Sequence, residues 1–108
     1  MSGNNRNKDK TRELFGMLLS LRSVYGGLAT EDKMDRAFLT FREGERSYCV
    51  GLIYHWGDIR AVCWVADNRG ENSASVERTF LWDRGVEEIR AFVVSALKGL
   101  GADTHDQD

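Results

Sequence analysis

The stretch Gly44–Asp67, GERSYCVGLIYHWGDIRAVCWVAD, decides the fold, because its two alternating sets of residues are both largely apolar. Residues that alternate along a strand point to opposite faces of a sheet, and a strand lying on a core needs only one apolar face. The pairs Gly44-Glu45 and Gly57-Asp58 carry turn chemistry and divide the stretch into the arms of successive hairpins. With Gly57 and Asp58 as a two-residue turn, Trp56 faces Ile59, Tyr54 faces Ala61, Leu52 faces Cys63 and Val50 faces Val65. With Gly44 and Glu45 as the preceding turn, Phe41 faces Tyr48, Leu39 faces Val50, Ala37 faces Leu52 and Glu43 faces Arg46. Both hairpins then place one apolar set on a common side, called face one here.

Face two holds Phe38, Thr40 and Arg42, then Cys49, Gly51, Ile53 and His55, then Arg60, Val62, Trp64 and Ala66. It is apolar in the middle and mixed at its edges. In this register its central row is Phe38, Gly51, Trp64, two rings over a glycine without a side chain, an arrangement that compensates a glycine in a strand interior. Face two is therefore built to be covered. One possibility is internal: a helix on each face, or the connector Leu28 to Ala37 folded across it. In the other, both helices pack on face one and face two meets a partner, since contiguous exposed apolar patches mark association sites.

Outward from this stretch, the rest of the meander reads as AFLTFRE on one side and SASVERTFLW on the other. The leading segment has Leu14, Leu18, Leu21 and Tyr25 at helical spacing over a broad apolar arc, with Asp9 or Thr11 as its cap and Gly26-Gly27 as its stop. An arc that broad predicts contact with two neighbours. A closing helix carries Val86, Ile89, Val93, Ala96, Leu97 and Leu100 on one stripe, with Asp83 as its cap. The fold class is α+β: an N-terminal helix, a four-stranded antiparallel β-meander and a C-terminal helix. It forms a single domain over residues 11–101, flanked by a flexible, mildly basic tail at 1–10 and an acidic flexible tail at 102–108.

The chain has 108 residues and a net charge of −2, without the global basic field that drives non-specific nucleic-acid binding. Its apolar runs are far shorter than the roughly 20 residues that span a bilayer, and its N-terminal residues lack the apolar core of a secretory signal, so a cytoplasmic location is expected. Cys49 and Cys63 fall on opposite faces and are expected as reduced thiols that cannot pair within the chain. His55 near Asp58 and Arg60 reads as a solvated hairpin end rather than a catalytic base, and His105 lies in the tail. No metal-ligand spacing, phosphate loop or nucleophile-base arrangement occurs in the sequence, so neither metal, cofactor nor enzymatic activity is expected.

The expected function is a non-catalytic protein-interaction module, a small regulatory or accessory protein that homodimerises or binds a protein partner through Phe38, Gly51, Ile53, Val62 and Trp64. A rival reading takes Arg42, Arg60 and Trp64 as contacts to single-stranded nucleic acid. At the level of architecture alone, the meander followed by a helix is similar to single-stranded-DNA-binding transcriptional coactivators and Whirly proteins. The order helix, meander, helix is similar to frataxin. None of these carries a residue over. Tyr48 and Trp56, by alternation, belong to the core rather than to a stacking platform.

Overall fold

The computed structural model describes residues 2–32, 36–55, 57–67, 69 and 73–102. In chain order the elements are α1 (Ser2–Tyr25), β1 (Leu28–Asp32), β2 (Arg36–Glu43), β3 (Arg46–His55), β4 (Asp58–Asp67), β5 (Ala74–Leu81) and α2 (Val86–Gly99). The strands form one antiparallel sheet in the order β1-β2-β3-β4-β5. The architecture is thus α+β as expected, with five strands instead of four. The extra strand is β1, from the segment read as a connector. It pairs edge-on with β2, Ala29 opposite Leu39 and Thr30 opposite Phe38, and so extends the sheet instead of crossing face two.

α1 begins at Ser2 and includes most of the stretch expected to form a tail. Adding residues to an existing helix costs far less than nucleating one, and the packed residues from Thr11 onward supply that nucleus. Thr11 is therefore a buried helical residue and not a cap. α1 stops where the paired glycines predict, at Gly26 and Gly27 with φ of 82° and 92°. A side chain at Gly27 would collide with β2, its Cβ standing 2.0 Å from the Thr40 carbonyl oxygen. At the other end α2 takes Gly85 as its N-cap residue, two positions after Asp83, and no side chain caps it. Ala102, placed in the acidic tail by sequence, is buried, and its amide donates to the Leu97 carbonyl; residues 103–108 lie outside those described.

Both helices pack on face one. A single core unites Leu14, Leu18 and Leu21 of α1, Leu39, Val50, Leu52, Ile59, Ala61 and Cys63 of the sheet, and Ile89, Val93 and Leu97 of α2. Stacked rings of Tyr25, Phe41 and Tyr48, with centroids 4.9 Å apart in both pairs, fix α1 against the first hairpin. α1 meets the two neighbours its apolar arc predicts, the sheet and α2. Arg90 donates to the Ser20 hydroxyl across the helix pair at 2.9 Å, and the Lys10 ammonium donates to the Arg84 carbonyl at the start of α2. The smallest dimension, 21 Å, accommodates one layer of helices on one sheet and no second layer. No helix is long and apolar enough to cross a membrane among the described residues.

Candidate interaction surface

Among the described residues nothing covers face two, and register decides how its residues meet. The first hairpin has the expected register, with Leu39 opposite Val50, Phe41 opposite Tyr48 and Glu43 opposite Arg46. The second differs by two residues: Tyr54 pairs with Ile59, Leu52 with Ala61 and Val50 with Cys63. The loop therefore comprises positions 56 and 57, with Gly57 as its second residue at φ 76°. A glycine at the second loop position supplies the positive φ found there at no steric cost, which is the signal the Gly57-Asp58 reading overlooked. Trp56, expected in the core opposite Ile59, lies outside the described residues. A shift of two keeps the parity of every residue, so face one and face two retain their membership.

The shift does change who sits beside whom. The central row of face two is Thr30, Phe38, Gly51, Val62 and Glu77, and the row beside it is Leu28, Thr40, Cys49, Trp64 and Ser75. Trp64 is thus opposite Cys49, and the expected sandwich of two rings over Gly51 is corrected to one. The Phe38 ring alone occupies the space, with Cε1 3.2 Å from where a Gly51 Cβ would stand. The third row is Arg36, Ile53, Arg60 and Thr79 beyond Asp32.

The five proposed contact residues, Phe38, Gly51, Ile53, Val62 and Trp64, form a contiguous patch over β2, β3 and β4. Gly51 is buried, Phe38, Ile53 and Val62 are half-buried, and Trp64 is 42% exposed. Sequence reasoning missed the wings of this patch. Leu28 on β1 is 60% exposed and Leu81 on β5 57% exposed, both on face two by register. Three of the five most exposed large apolar side chains described, Leu28, Trp64 and Leu81, therefore lie on this one face, with Leu19 and Val76 elsewhere. Leu28 was hidden because its strand was read as a connector.

The cations of the face are arginines at its rim, with Glu77 at the β5 end of its central row. Arg42 and Arg60, the two expected, are exposed, and the register adds Arg36. Arg60 donates from Nε to the Glu77 carboxylate on β5, and this hydrogen bond holds the Glu77 carboxyl below its usual range. Tyr48 is buried on face one. Arg46, on the same face, reaches the end of α2, donating to the Leu100 carbonyl at 3.4 Å and the Tyr48 hydroxyl at 3.5 Å. It borders a groove of about 470 Å³ between β4 and the end of α2.

Cys49 lies half-buried on face two and Cys63 is buried on face one, both free, as alternation required. Burial, with a smaller contribution from Cys49, pushes the Cys63 thiol up to about 12, and burial also raises that of Cys49. Neither is an activated nucleophile. His55 pairs with Asp58 in the register, while His105 lies outside the described residues. No group of three or more potential metal ligands occurs among the described residues.

Comparison with protein-family models, curated proteins and solved structures yields no match to the chain. The architecture is that of a two-layer α-β5-α protein with one sheet face covered by the helices and the other bare of any described element. Its function is argued from that bare face.

Proposed function

We propose that the protein is a non-catalytic interaction module, a small regulatory or accessory protein acting in the cytoplasm, that binds a protein partner through face two. The observation that supports this reading is the placement of both helices on face one, which leaves Phe38, Ile53, Val62 and Trp64 at the surface around Gly51 with Leu28 and Leu81 on either side. Apolar area of this extent on a small protein favours association, and a central Trp typically contributes more than any neighbour when a partner buries it.

The rival, single-stranded nucleic acid, draws support from Arg36, Arg42 and Arg60 on the same face as Trp64. Two features weigh against it. Arg60 already serves Glu77, and the Phe38 ring lies down over Gly51 instead of standing clear for a base.

The test compares binding by wild type, Trp64→Ala and Leu19→Ala, the last removing an exposed apolar side chain from α1. Truncating a central Trp should cost about 2 kcal/mol or more in affinity. Binding of the protein partner should fall for Trp64→Ala alone and change little between low and high salt. Equal loss in both variants, or binding of a thymidine oligonucleotide that weakens steeply with salt, would overturn the reading.

A further inference from the structure

We propose that the occupant of face two is a second copy of the chain, related by a two-fold axis that runs across the strands and passes over Gly51; this rests on face two being the binding surface. Area is the first argument. Five strands about 4.8 Å apart and about eight residues long at 3.3 Å each give a patch of about 24 by 26 Å, and side-chain relief brings it close to the roughly 800 Å² per partner of a stable interface. A symmetric pair of sheets also covers both apolar faces at once.

Charge selects the axis. An axis along the strands over β3 lays β2 of one copy on β4 of the other within the same row, so Trp64 meets the twin's Thr40 and Arg36 meets the twin's Arg60, with no ring set against a cation. An axis across the strands lays each strand on its own twin and exchanges the row of Trp64 with the row of Arg60. Trp64 then meets the twin's Arg60 guanidinium, a favourable cation–ring pairing, and Cys49 meets the twin's Ile53. At the axis each Gly51 is covered by its own Phe38 ring, so contact there is made by the Phe38 rings and not by the two glycines. Phe38 and Val62 flank this point as apolar self-contacts. Glu77 meets its twin only at the margin, where each carboxylate is held by its own Arg60, and the roughly 30° crossing of packed sheets moves the margins apart.

The geometry is read by a short bis-maleimide with a reach of about 8 Å. Cys49 and residue 53 of one chain are four residues apart, about 13 Å at 3.3 Å per residue, beyond its reach. The same spacing separates Cys49 from the twin's Cys49 under an axis across the strands, whereas Cys49 and the twin's residue 53 face each other. Three full-length proteins are compared at equal concentration: wild type, Ile53→Cys, and Cys49→Ser/Ile53→Cys. Sedimentation velocity runs alongside to show which of them dimerise. The expected result is a wild-type dimer that stays non-covalent, and for Ile53→Cys a covalent dimer from whatever fraction sedimentation shows associated, with a 49-to-53 linked peptide in its mass spectrum that is absent from the double variant. A covalent dimer in wild type, through two Cys49 thiols, overturns the axis and leaves face two as the binding surface. Dimers that cross-link in no variant overturn the use of face two by the twin. A monomer at all concentrations overturns the second copy as occupant, while the Trp64→Ala comparison still decides whether face two binds another protein.

Discussion

Leu52 and Ile53 are chain neighbours on β3 that point to opposite faces, and truncating each in turn measures what covers each face. Leu52 is fully buried between the helices and the sheet, whereas Ile53 is half-buried on face two. A fully buried Leu→Ala change removes transfer free energy and leaves a cavity, together about 3 to 4 kcal/mol. Ile53→Ala forfeits roughly half an aliphatic side chain's burial and leaves no enclosed cavity, about 1 kcal/mol. At roughly 4 to 8 °C per kcal/mol for a domain near this size, the first should lower Tm by well over 10 °C and the second by less than 10 °C. Urea unfolding followed by circular dichroism, extrapolated to low protein concentration to remove any contribution from association, gives both values. Equal losses at the two positions would refute the argument, because they would mean that face two is as deeply covered within one chain as face one.

Two further outcomes follow from the same structure. Gly27→Ala combines a left-handed backbone with a Cβ driven against the Thr40 carbonyl, whereas Gly26→Ala has the left-handed backbone with open space around it. The second should cost about 1 kcal/mol and the first at least about 2 more, read from denaturant midpoints. The Cys63 thiol has a folded pKa of about 12 against an ordinary 9.0. Its protonated form supports the fold fully below pH 9, and that support falls as pH rises from about 9 to about 12, by no more than about 4 kcal/mol. Cys63→Ala should therefore flatten the alkaline limb of stability against pH; an unchanged limb would assign it to other groups.

Which residues face which way was legible in the sequence, because parity survives any even error in register. Tyr48, Val50, Leu52 and Cys63 were assigned to the core although the second hairpin was placed two residues out of register. What parity cannot carry is lateral adjacency, and so Trp64 was set beside Gly51 when Val62 belongs there. β1 escaped notice for a different reason. As an edge strand of five residues it contains Thr30, Glu31 and Asp32, and Ala29 is its one apolar residue on the core-facing parity, so it has no apolar alternation to read. Residues 2–10 misled in the opposite sense, since a polar stretch without apolar periodicity gives no signal by which to tell a helix from a tail. On the candidate surface, the apolar centre was read from one strand set, but the wings at Leu28 and Leu81 required the sheet to be assembled first.

Every strand of the sheet pairs with its neighbour in sequence, so during synthesis each hairpin can close as soon as its second arm leaves the ribosome. The helices are different. α1 emerges first and must wait for β1 and β2 before it has a surface to cover, while α2 emerges last and supplies Ile89, Val93 and Leu97 to a core otherwise already assembled. Until then the nascent chain carries a meander whose β4 is bare on both sides, and it is most vulnerable to aggregation in that interval. The acidic and basic side chains of β5, Glu77 and Arg78, stand at the edge that would otherwise recruit another strand, and they are in place before the last helix arrives.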